Sequence, residues 1–228
     1  MKDDYLQAYL VEGAYFTEEW EFPILQPCHE IPEELIPFSK TKGVKKLNQF
    51  VHFFEDDRKI LPFGRNPRSY FPRLSQFKGA IGCDFSVYRN MPFSQQIGQT
   101  FRNRALTFWL QNLGISVVPN VRYGDERSYR FCFDGIPKNS IIAIGTHGCT
   151  KRKDDIYYHI KGVSETIKQL KPEAILFYGA VNREIRSMLN LEKVPYEIYE
   201  SDTYKFFKNR FISENHFSLF NSISVGGA

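Results

Sequence analysis

Asp84 is the only acidic residue between Arg58 and Gly124, a stretch that also holds Arg58, Lys59, Arg65, Arg68, Arg73, Lys78, Arg89, Arg102, Arg104 and Arg122. A lone carboxylate among ten cations is either kept ionised in a working site or locked into a structural ion pair. In the first case it is a general base or a metal-binding carboxylate. In the second it caps a loop or pairs with Arg102 or Arg104. His147 is the other candidate acid/base or ligand, placed in Gly145-Thr146-His147-Gly148-Cys149 after an apolar run. Its bland alternative is a loop histidine bonded to backbone. Cys149 lies two residues away but has no third group to orient a nucleophilic pair. A zinc site can be drawn from Cys28, His29, His147 and Cys149, yet the spacings that mark such sites are missing.

Around these two groups the cations and carboxylates suit phosphate chemistry. Arg122, Arg102 and Arg104, with Asn120, can neutralise or bind a phosphate. Successive helical residues point about 100° apart, so Arg102 and Arg104 cannot face one ligand equally. Asp56 and Asp125 are placed to complete a Mg²⁺ site with Asp84. Residues 58–78 interleave Arg58, Lys59, Arg65, Arg68, Arg73 and Lys78 with Phe63, Tyr70, Phe71 and Phe77. That mixture suits single-stranded nucleic acid through backbone charge and base stacking, with Arg68 and Arg73 as ligands; the competing reading places those aromatics in the core.

The elements that must position these groups follow from apolar runs and punctuation. Strands are expected at 50–54, 79–83, 115–118, 140–144, 174–178 and 196–199. Helices are expected near 67–77, from Pro92 to Leu113 with Gly114 as the stop, at 154–170, 182–189 and 202–211. Ile97, Phe101, Ala105 and Phe108 recur at helical spacing and are assigned to one buried face. Strands alternating with helices, too short and apolar to alternate in polarity, indicate a mostly parallel α/β sheet of about five βα units. An open doubly wound sheet and a partial barrel both fit. In either, ligands bind beyond the carboxyl ends of the strands, where Asp56, Asp84, Asn120, Arg122, Asp125 and His147 fall.

Residues 1–45 read as an irregular arm punctuated by Pro23, Pro27, Pro32 and Pro37, with one short helix near 32–34, attached to a single domain over 46–228. The arm is acidic: residues 1–40 carry two basic and nine acidic side chains, and the rest of the chain is +11. A basic body suits a polyanionic partner; alternatively the arm folds back and neutralises it. No apolar run approaches the roughly 20 residues that span a bilayer, and Met1-Lys2-Asp3-Asp4 does not open a signal peptide. A cytoplasmic protein with four reduced cysteines is expected. Dinucleotide, P-loop, zincin, nucleophile-elbow and kinase motifs are absent.

The blocks Asp84-Phe85-Ser86-Val87-Tyr88, Met91-Pro92, Gln96-Ile97, Arg102-Asn103-Arg104 and Cys132-Phe133-Asp134-Gly135-Ile136-Pro137 resemble an uncharacterised bacterial family. It is carried by prophages and mobile elements and catalogued as a domain of unknown function. The resemblance covers roughly residues 50–180, leaves the first 45 residues outside, and implies a phage or mobile-element setting without assigning any residue a role. The expected function is recognition of a phosphorylated ligand, a nucleotide or nucleic acid, with phosphoester hydrolysis or transfer as the reaction. The alternatives are a non-enzymatic nucleic-acid-binding accessory, or a factor directed at a host protein through the acidic arm.

Overall fold

The computed structural model describes Asp4, residues 6–146, residues 152–202 and Tyr204. Seven strands run through it: β1 (Leu35–Pro37), β2 (Phe50–His52), β3 (Gly79–Ile81), β4 (Val117–Val118), β5 (Ile141–Gly145), β6 (Ala174–Tyr178) and β7 (Tyr196–Tyr199). Every pairing is parallel, and spatial order follows chain order: β1 to β4 form one ladder and β5 to β7 another. A parallel bridge between Asn120 and Ala143 joins the two. There the Val121 and Ala143 amides donate to the Ala143 and Pro119 carbonyls, each at 2.9 Å.

The strands alternate between two apolar environments. Phe50, Ile81, Val118, Ile141, Ala143, Ala174, Leu176 and Tyr178 gather in one cluster with Leu35 and Tyr199, so all seven strands feed a single interior. Their neighbours Val51, Ala80, Val117, Ile142, Ile144, Ile175 and Phe177 turn the other way, into two outer cores under the helices. The His52 and Tyr178 rings lie 4.2 Å apart although β2 and β6 stand four places apart in strand order. In a flat sheet those strands would be about 19 Å apart. Tyr199 also donates from its hydroxyl to the Pro32 carbonyl at 2.5 Å, closing the gap between β7 and the approach to β1. The sheet is therefore curled toward a partial barrel that does not close. Among the described residues β1 and β7 share no ladder hydrogen bonds.

The helices are α1 (Asp57–Arg65), α2 (Pro67–Leu74), α3 (Phe93–Asn112), α4 (Lys153–Leu170) and α5 (Arg183–Leu191). Helix α1 is not among the helices expected above, and it buries Ile60, Phe63 and Gly64. It starts where the Asp56 side chain accepts the Arg58 amide at 3.0 Å. Helix α3 has the expected limits, but its buried face is wider than a single stripe. Residues 103–110 are all buried, and Phe101 is 39% exposed. This helix crosses between two outer cores, so most of its circumference is covered. Helix 202–211 lies almost wholly outside the described residues.

The segment read as an arm is built into the fold. Its residues 35–37 are strand β1, where a helix was expected at 32–34; a three-residue strand ending in Pro37 leaves too few positions for alternation to register. Phe22, Leu25 and Cys28 are buried. The Leu25 amide donates to the Gly135 carbonyl at 2.8 Å, and the Ile141 amide to the Cys28 carbonyl at 2.9 Å. Glu30 pairs with Lys78, and Glu34 with Lys46. Of the cysteines, Cys28, Cys83 and Cys132 are buried thiols. No described helix is long and apolar enough to cross a membrane.

Candidate active-site cleft at the carboxyl ends of the strands

Asp84 sits three residues beyond β3 and is almost fully buried. Its position depends on a close approach of two chains. A Cβ at Gly82 would stand 2.9 Å from the Asn120 amide nitrogen and 3.0 Å from Thr107 Oγ1, so only glycine lets β3 leave the barrel this near to β4. The backbone past β3 is then held by side chains of α3. The Cys83 amide donates to Thr107 Oγ1 at 3.1 Å, and Asn103 receives the Phe85 amide at 2.8 Å and donates to the Phe85 carbonyl at 2.9 Å.

Two strand ends converge on the carboxylate. Asn120 Nδ2 donates to Asp84 Oδ1 at 2.8 Å and to the Cys83 carbonyl at 3.0 Å. Arg122 Nη1 lies 3.5 Å from Asp84 Oδ2. Burial pushes the Asp84 carboxyl above the ordinary carboxylate range and the Asp57 charge adds to this, while Arg122 and the Asn120 hydrogen bond act against it. A carboxyl so balanced is suited to exchange a proton with a ligand.

Around this pair opens a cleft of about 530 Å³, the size of a small-molecule site. Asp57, Ser86 and Tyr88 form one part of its wall, with Arg89, Tyr123, Asp155, Tyr158 and His159 on another. Asp57 Oδ1 accepts from both the amide and the hydroxyl of Ser86 at 3.1 Å. Arg89 pairs with Asp155 at 2.6 Å and lies 4.8 Å from the Tyr158 ring centre. Tyr123 rests on α4 at Gly162, where a Cβ would collide with its ring. Its hydroxyl is thereby held 2.9 Å from His159 Nδ1. Burial, reinforced by the Arg122 charge, lowers His159 to about 4, so the ring is neutral at physiological pH. Among the described residues His159 Nε2 is buried without a hydrogen-bond partner.

The profile described as "Domain of unknown function (DUF4417)" matches residues 14–197. The chain belongs to this family. It is also similar to the Gene 1 protein of Mycobacterium phage L5, with 31% identity over 166 residues that make up 72% of each chain. The Gene 1 protein of Mycobacterium phage D29 is 28% identical over 166 residues, which are 72% of this chain and 62% of that protein. No solved structure matches the chain. The phage setting implied by the sequence blocks is thus met by these relatives. The match begins at residue 14, so the DUF4417 region takes in most of the segment expected to lie outside it, in keeping with the contribution of β1 to the barrel.

The expected site residues of this DUF4417 chain separate into groups. Asp84, Asn120 and Arg122 meet, and Asp56 lines the same cleft but is clasped by Arg58, with Nε to Oδ1 at 2.8 Å. Asp125 caps the turn Glu126–Arg130 and holds Arg127 Nε at 3.0 Å. No group of three or more His, Cys, Asp or Glu able to hold a metal forms among the described residues, so Asp56, Asp84 and Asp125 do not converge as a Mg²⁺ site. Arg104 is buried beneath the cleft. It donates to the carbonyls of Asp134 at 3.0 Å, Asn120 at 3.3 Å and Cys132 at 2.5 Å. Desolvation lowers it to about 10, so it remains charged, but it fastens α3 to the β4 end and to residues 132–134 and does not reach the cleft.

Arg102 turns away from Arg104 and lies 3.9 Å from the centre of the Phe85 ring, on the helical layer. Arg68 lies over Tyr9 at 3.7 Å, and Arg73 over Tyr70 at 5.1 Å. Phe63 and Phe77 are core residues. The basic-aromatic segment therefore spends much of its aromatic surface internally. His147 and Cys149 lie outside the described residues. Asp57 is among the strand-end groups expected from the sequence, whereas Tyr123 and His159 are not. One signal was available: His159, Val163, Thr166 and Leu170 recur at spacings of four, three and four, which puts a histidine in the buried stripe of α4.

Proposed function

We propose that the strand-end cleft binds a small phosphorylated ligand of nucleotide size and acts on a phosphoester, with Asp84 as the acid/base and Arg122 as the phosphate contact. The observation that carries this reading is the Asp84–Arg122 pair, a buried carboxyl facing a guanidinium where ligands of parallel barrels bind. Asn120 orients the carboxylate, and neutral His159 offers a ring nitrogen for a ligand oxygen or N–H. Tyr88, half exposed at the rim, supplies an aromatic surface for a base. Single-stranded nucleic-acid binding through Arg68 and Arg73 has weaker support, since both guanidiniums already lie over the chain's own rings.

The test is calorimetric titration of the full chain with nucleoside mono-, di- and triphosphates, followed by product analysis with and without Mg²⁺. The expected result is saturable binding that Arg122→Gln weakens at least roughly tenfold, consistent with loss of one charge-assisted contact. Turnover, where present, disappears in Asp84→Asn while binding persists. Nucleotide binding unchanged in Arg122→Gln would remove the cleft from consideration.

A further inference from the structure

A second groove lies on the helical layer, apart from the barrel mouth. It occupies about 630 Å³ between the turn Ala8–Val11 and helices α1, α2 and α3, and Arg65, Arg68 and Arg102 line it with Asn66, Tyr9 and Phe101. Asp4 is the only carboxylate among the described lining residues. Its oxygens are already engaged by the amides of Ala8 at 2.9 Å and Tyr9 at 3.2 Å. The groove is thus cationic, with its one acid committed to holding a turn.

Arg102 is the unusual member. Its guanidinium lies over the Phe85 ring, 3.9 Å from the centre, and against α1 at Gly64, where any Cβ would collide with Nη2. The slot half-buries the fork between ring and helix. Within that slot no carboxylate stands within 4.0 Å of it, and its nitrogens donate no hydrogen bond to any described residue. Arg65 adds a like charge and sits exposed on the groove wall, also without an ion pair among the described residues. Burial works most against the Arg102 cation and the Arg65 charge adds to this, while Cys83 and the Asp57 carboxylate act in its favour. A desolvated guanidinium held beside a second one, with its donors unused, is destabilised until an anion arrives. Planar forks in pairs match phosphate oxygens, which accept several such donors at once.

We propose that this groove is a binding site for a multiply charged phosphate group, held between Arg102 and Arg65 and separate from the Asp84 cleft. Arg68, stacked on Tyr9, contributes charge from the far side. The half-exposed Phe101 ring borders the groove and fits a base or another flat group attached to the phosphate.

The experiment is titration of the full chain with sodium tripolyphosphate, in wild type, Arg102→Gln, Arg65→Gln and Arg122→Gln, each checked for folding by circular dichroism. The groove predicts saturable binding that weakens at least roughly tenfold in Arg65→Gln, the exposed and structurally silent variant, and in Arg102→Gln. In Arg122→Gln the part of the binding that Arg65→Gln and Arg102→Gln remove should remain, whatever the cleft itself contributes. Displacement of the tripolyphosphate by a nucleoside triphosphate would assign the phosphate to a nucleotide, and displacement by a single-stranded oligonucleotide would assign it to a nucleic-acid backbone. No binding, or binding lost in Arg122→Gln and kept in Arg65→Gln, overturns the groove. The latter result would leave the Asp84 cleft standing.

Discussion

At the scale of single residues, two buried titratable groups in the cleft lean in opposite directions with pH. The folded-state value of His159 is depressed, so its contribution to stability is whole above about 6.5 and is lost as pH falls toward about 4. The shift corresponds to a cost on the order of 3 kcal/mol at the acid end. Denaturation followed between pH 7 and pH 4 should therefore show a fall in stability that His159→Asn flattens; an equally steep fall in the variant would mean the ring is not desolvated. Asp84 behaves inversely. Its folded-state value is raised, so its contribution is present below the ordinary carboxylate range and is lost as pH rises through the raised value. Relative to wild type, Asp84→Asn should gain stability between pH 4 and pH 7, as read from urea midpoints at the two values. A structural ion pair with Arg122 strong enough to override burial would give the opposite sign.

At the scale of elements, α3 and α4 hold the cleft through contacts that local sequence does not advertise. Arg104 inside α3 satisfies three carbonyls from two distant segments. Replacing it with Met leaves those oxygens buried and unpaired, and a loss of about 3 kcal/mol or more is expected in chemical denaturation. Gly162 in α4 is the seat of the Tyr123 ring, and Ala there improves helix propensity while displacing the ring. Overpacking should dominate, with a net cost of about 1–3 kcal/mol and a weakened grip on His159. A stabilised Gly162→Ala protein would show that the ring can step aside. The helix positions themselves were legible: Pro92 and Gly114 bracket α3, and the 154–170 periodicity marks α4. The role of Arg104 was not, because a cation in mid-helix looks solvated until the chain that covers it is known.

The whole molecule places the acidic N-terminal segment inside the barrel's construction. Deleting residues 1–40 removes β1, the buried Phe22 and Leu25, and the carboxylates on Lys78 and Lys46. The truncated chain should lose cooperative unfolding in a thermal melt, and a soluble, cooperatively folding product would show that the body is an independent domain. Sequence by itself determined the parallel α/β class, most strand positions and the singling out of Asp84 as a candidate. These rest on local signals: apolar runs of strand length, helix punctuation, and one carboxylate in a cationic stretch. Tertiary structure alone decided that the sheet curls into a partial barrel, because His52 and Tyr178 meet across an interior no local pattern encodes. It also decided the partners of each charge. Arg122 reaches Asp84, Arg104 turns inward, and Arg102 faces a groove with Arg65, since curvature and crossover set those distances and spacing along the chain does not.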